Sequence, residues 1–85
     1  MIRDGAVPLS NLGAGESGTV VRLYGGIGLV GRLAALGFTP GATVQVVRNS
    51  RFGPLIVSVL DTHIALGRGQ AARVYVARRG NPNPR

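Results

Sequence analysis

The sequence predicts a mostly β domain, a small barrel of about five short antiparallel strands with one short α-helix between the first two. Three observations predict it. The chain has 85 residues, which is room for one domain with one core. Its 14 glycines and five prolines divide it into short segments. Valine is its commonest apolar residue, and β-branched side chains favour a pleated, half-buried surface. Hydrophobic residues make up 45%, so the glycine content does not mark a linker. A doubly wound nucleotide-binding sheet or a (β/α)₈ barrel does not fit this length.

Residues 1 to 16 read as a lead-in. Within it, Pro8-Leu9-Ser10-Asn11-Leu12 suits one helical turn, with Leu9 and Leu12 on one face, and Gly13 and Gly15 break it. Thr19 to Tyr24 is the first strand, with Val21 and Leu23 on one face and Val20 and Arg22 on the other. Gly25-Gly26 ends it. Gly28 to Leu36 is the helix, because Leu29, Leu33 and Leu36 recur at i, i+4 and i+7. Gly37 suits the left-handed residue past its end, and Phe38 the position whose side chain packs back onto Leu33. Pro40-Gly41 is a turn pair, proline fixing φ and glycine accepting a positive φ. So short a helix is marginal alone and depends on packing.

Thr43 to Arg48 is the second strand, with Val44 and Val46 inward and Val47 outward. Asn49 to Gly53 is a loop and Pro54 opens the third strand, Leu55 to Leu60, with Leu55, Val57 and Val59 on one face. Asp61-Thr62 reverses the chain into a fourth strand, His63 to Leu66. Gly67 to Ala72 suits a single helical turn, and Arg73 to Ala77 is the fifth strand, Val74 and Val76 inward. The architecture is that of a small SH3-like barrel. One domain spans 1–77, and the polar, basic residues 78–85 read as a disordered tail.

All ten cationic residues are arginine. The acids are Asp4, Glu16 and Asp61, so the formal net charge is +7. That balance permits nucleic acid, an anionic membrane face or an acidic protein as partner. The absence of cysteine excludes a disulfide framework, a thiolate metal site and a cysteine nucleophile. Arg22, Arg32, Arg48 and Arg51 interrupt the apolar segments, and none reaches the ~18 residues of a membrane span. Met1 to Ser10 has no apolar stretch of signal-peptide length, so the expected location is cytoplasmic.

Several segments together resemble one family. Pro8 to Leu12 with Gly15-Glu16 resembles its opening LxxLxxGE. Arg32 to Gly41, RLAALGFTPG, resembles its most diagnostic stretch, RLxxLGFxPG. Phe52-Gly53-Pro54 with Leu55 to Val59 resembles its central hairpin, and Ala65 to Ala72 followed by Val74-Tyr75-Val76 its closing ALxxxxAxxIxV. The chain thus resembles the ferrous iron transport protein A (FeoA) family over about residues 7 to 77. Asp61-Thr62 departs from the glycine-containing turn of many members.

The resemblance implies an SH3-like barrel, non-enzymatic, serving ferrous iron uptake. It implies binding to the cytoplasmic part of the membrane transporter FeoB, either its GTPase domain or its core. The protein would then sit at the inner face of the membrane through that partner. Homo-oligomers are compatible with it. The alternative is a basic SH3-like barrel that binds nucleic acid.

Other motifs point to simpler explanations. Gly26-Ile27-Gly28-Leu29-Val30-Gly31 matches the dinucleotide pattern GxGxxG, but Gly13 to Gly18 matches it too, and Val46 to Arg51 offers no acid for a ribose. Turn geometry accounts for these glycines, and no cofactor is expected. With no lysine, a Walker P-loop is excluded. His63 is the only histidine, and with Asp61 it falls short of a ferrous ligand set, so no metal site is expected. Ser10, Ser17, Ser50 and Ser58 have one histidine among them and no triad order, so no catalytic residue is expected.

The helix and the turn after it carry the binding expectation. Leu29, Leu33, Leu36 and Phe38, with Phe52 on a neighbouring loop, would line or shape an apolar groove. Arg32 and Arg51 would supply charge complementarity. Gly37, Pro40 and Gly41 would hold the turn.

Overall fold

The computed structural model describes residues 5–79. It contains β1 (Ala6–Pro8), a 3₁₀ turn (Leu9–Asn11), β2 (Ser17–Leu23), α1 (Ile27–Ala35), β3 (Thr43–Asn49), β4 (Leu55–Val59), β5 (Thr62–Leu66), α2 (Arg68–Ala71) and β6 (Val74–Arg78). The strands form one antiparallel sheet in the order β1-β6-β2-β3-β4-β5. The SH3-like, mostly β fold is therefore present with two corrections. The sheet has six strands and is not closed, since β1 and β5 are its edges. The additional strand is β1, three residues paired to Ala77, Val76 and Tyr75. It has no periodicity of its own and is recruited by β6, so α1 lies between the second and third strands.

The core occupies one face of the sheet. Val44 and Val46 of β3, Leu55, Val57 and Val59 of β4, and Val74 and Val76 of β6 are all buried, as the alternation predicts. Leu9 and Leu12 close one side from the 3₁₀ turn, and Leu33 and Phe38 another. Gly18 of β2 pairs with both Val44 and Arg78. A Cβ there would stand 2.9 Å from Val76 Cγ2, so only glycine lets the strands approach this closely.

Two bulges alter the faces. The register shifts between Val20 and Arg22, where β2 carries one residue more than β6. Val20 is buried opposite Val76, whereas Arg22 stands opposite Tyr75 on the outer face. The expectation that Val20 and Arg22 share a face is thus corrected. A second shift, between Val46 and Arg48, leaves Val47 exposed.

Turn positions differ by a residue. The β4–β5 reversal uses Leu60 and Asp61, not Asp61 and Thr62, because Thr62 already pairs with Val59. The last strand also shifts by one residue. β6 runs through Arg78, and the Arg79 N–H donates to Ser17 O at 3.0 Å. The rest of the segment read as a tail lies outside the described residues.

Candidate functional site

The site is built around the end of α1. Gly25, at φ +135°, admits Leu29, whose Cδ2 would stand 2.8 Å from a Cβ at this position. Leu29 is half-buried against the core, and Leu33, one turn on, is fully buried. The Phe38 N–H donates to Leu33 O at 3.1 Å and the Gly37 N–H to Ala34 O at 3.0 Å. These two bonds form the Schellman ending, with Gly37 at φ +111°. The Ala42 N–H then donates to Thr39 O at 2.9 Å, with Gly41 at φ +95°. With Pro40 before Gly41, this is a type II turn. Reciprocal 2.8 Å bonds, Val20 N–H to Ala42 O and Gly41 N–H to Val20 O, lock that turn onto β2.

The predicted residues divide by burial. Leu33 and Phe38 are core and present nothing to a partner, so their part is to shape the surface above them. Leu36, 39% exposed, and Arg32 and Pro40 are exposed on the helix and the turn after it. Sequence reasoning missed Leu60, which is 75% exposed at the tip of the β4–β5 hairpin and packs beside Gly37. Both Leu60 and Asp61 have positive φ, 52° and 61°, as a type I′ hairpin requires. Such turns are usually Asn-Gly, so the sequence carried no signal for it. Next to Leu60 lies an open hollow of about 360 Å³, lined by Thr43, Gln45, Ser58 and Asp61.

Arg51 and Phe52 do not join this surface. Their loop precedes Leu55, whereas Gly37 meets Val59 and Leu60 at the other end of β4. A five-residue strand separates the two ends by about 13 Å. The loop is instead held by α2. The Arg68 guanidinium donates to Ser50 O, to Gly53 O at 3.0 Å and to Asn49 Oδ1 at 2.9 Å. Asn49 Nδ2 in turn donates to Leu12 O at 2.7 Å and Ser10 O at 3.2 Å.

Other candidate chemistry is dispersed. His63 is exposed on β5 opposite Ser58. Among the described residues no three metal-ligating side chains come together. Gly28 and Gly31 lie within α1 on its open face, where a Cβ would meet nothing within 4 Å, so turn geometry does not account for them. Tyr24 and Tyr75 pack edge to face at 4.9 Å, with Arg22 over both rings and its Nε 2.7 Å from Tyr24 Oη. These rings are engaged with each other and with Arg22, unlike the successive open platforms on which single-stranded bases stack.

The fold defines a small, mostly β, SH3-like domain. The FeoA domain family matches residues 7–78, and the chain belongs to that family. It is 36% identical over 69 residues to a Methanocaldococcus jannaschii protein named "Putative Fe(2+) transport protein A", covering 81% of this chain and 83% of that one. A crystal structure of the iron uptake regulatory protein FeoA is 43% identical with a TM-score of 0.83, covering 87% of this chain and 99% of that one. The zinc complex of FeoA from Stenotrophomonas maltophilia, a prokaryotic SH3 domain protein, is 33% identical with a TM-score of 0.71, covering 80% and 86%. The family is associated with ferrous iron transport. No helix among the described residues is long and apolar enough to cross a membrane.

Proposed function

We propose that this chain is a non-enzymatic, cytoplasmic accessory of ferrous iron uptake that binds the cytoplasmic part of a FeoB-type transporter. Family membership across residues 7–78 carries the reading. The contact surface is Leu36, Arg32, Pro40 and Leu60, supported from beneath by Leu33 and Phe38. Arg32 supplies charge complementarity and orientation more than affinity. Gly37, Pro40 and Gly41 set the backbone and contribute little contact of their own.

The test is titration of the full chain against a full-length FeoB-type transporter in detergent, with a random oligonucleotide as control. Wild type binds the transporter at moderate salt, and Leu36→Gln weakens binding about tenfold without loss of fold, the loss of one apolar contact. Equal binding by a folded Leu36→Gln variant would remove the surface from the account. The nucleic-acid alternative rests on the net charge of +7. It predicts binding to the oligonucleotide that falls steeply between low and moderate salt.

A further inference from the structure

Phe52 is 94% exposed, the most exposed large apolar side chain of the described residues. Its loop is nevertheless fixed. Arg68 binds the carbonyls of Ser50 and Gly53, one on each side of Arg51 and Phe52, and Asn49 ties the start of the loop to the 3₁₀ turn. A fixed loop loses little freedom when its tip is buried against something else. Its own stretch of chain, residues 17–60, carries charge of one sign. No acid occurs in sequence between Glu16 and Asp61, while Arg48 precedes the loop, Arg51 lies within it next to Phe52, and both are exposed. Glu16 is spent on Arg78 at 3.8 Å and on the Gly13 N–H at 2.7 Å, and Asp61 lies at the far end of β4.

We propose that the Arg48–Gly53 corner binds an anionic lipid bilayer directly, Phe52 entering the boundary between headgroups and acyl chains while Arg48 and Arg51 meet lipid phosphates. The chemistry is that of an apolar anchor with neighbouring arginines, which requires both apolar burial and negative surface charge. Charge complementarity selects the bilayer as occupant. A single-stranded nucleic acid would ask for successive stacking rings, and the aromatic pair Tyr24 and Tyr75 is packed against itself elsewhere, just past β2 and on β6. This inference goes beyond transporter binding and does not depend on it.

The chain has no tryptophan, so Phe52→Trp makes a single reporter. The full-length variant is mixed with vesicles of phosphatidylcholine, with and without about one quarter phosphatidylglycerol. The expected result is a blue-shifted emission, quenched by brominated acyl chains, on the anionic vesicles alone. In sedimentation with the same vesicles, Phe52→Ser lowers partitioning about tenfold and Arg51→Gln about fivefold. Ile27→Ser, at an apolar side chain 93% exposed at the start of α1, leaves it unchanged. Melting curves confirm that each variant folds. Three results overturn the proposal: no emission change on anionic vesicles, vesicle binding unaffected by Phe52→Ser, or Phe52-dependent binding to a single-stranded oligonucleotide without vesicle binding. The vesicles hold no transporter, so each outcome is distinct from failure of the accessory reading.

Discussion

A Cβ on Gly37 would stand 2.9 Å from Cδ1 of Leu60 and 3.4 Å from Cγ2 of Val59. The end of α1 is thereby seated on the β4–β5 hairpin, and a conformation open only to glycine decides how close it sits. Gly37→Ala meets two obstacles, the φ of +111° and the contact with Leu60. Leu60 is a flexible, exposed side chain and can move aside, so the backbone is the larger obstacle. The expected loss is about 1–3 kcal/mol, read from chemical denaturation. A loss below about 0.5 kcal/mol would show that the helix end relaxes freely.

Leu60 and Asp61 both hold left-handed conformations at the hairpin tip. For a residue such as leucine that conformation costs about 1–2 kcal/mol, and asparagine tolerates it. Leu60→Asn is therefore expected to raise stability by about 1 kcal/mol despite removing a contact with Gly37. Differential scanning calorimetry would show a higher Tm. A lower Tm would mean that the packing on Gly37 outweighs the turn strain.

Arg68 holds three acceptors of the Asn49–Gly53 loop with one planar fork. Arg68→Ala leaves those acceptors without that donor and is expected to cost about 1–3 kcal/mol. Arg68→Lys should recover only part of this, because an ammonium cannot reproduce the fork. Hydrogen exchange supplies the second readout, with amides of residues 49–53 exchanging faster in both variants. Unchanged protection would mean that the loop is held without Arg68.

Leu33 and Leu36 share the apolar stripe of α1 and differ in burial, 0% against 39% exposed. Leu33→Ala is expected to cost about 2–5 kcal/mol by leaving a cavity. Leu36→Ala should cost well under half of that, since much of its side chain is already in water. Comparable losses by thermal denaturation would contradict the placement of Leu36 at the surface.

Much of the fold was legible where local chemistry and tertiary structure agree. Leu9 with Leu12, the alternating valines of β3, β4 and β6, the Gly37-Phe38 ending and the Pro40-Gly41 turn each have a local cause that the packing reinforces. The features that escaped the sequence lack such a cause. β1 is three residues stabilised by β6, and the face of Arg22 is decided by a bulge that no pattern marks. The Leu60-Asp61 turn adopts a geometry that its residues disfavour. The candidate site was legible in part for the same reason. The leucine period gave the helix, but not that β4 would hold Phe52 away from Gly37, nor that the hairpin would bring Leu60 beside it.

The surface around Leu36 and Leu60 is proposed to serve a transporter rather than the stability of the fold. The most direct measurement is the affinity of wild type and Leu60→Asn for a full-length FeoB-type transporter in detergent, at moderate salt, beside the Tm of each. Opposite signs are expected: a higher Tm for Leu60→Asn and a Kd raised about tenfold, as loss of one apolar contact implies. Equal affinities, or no binding by wild type, would contradict it.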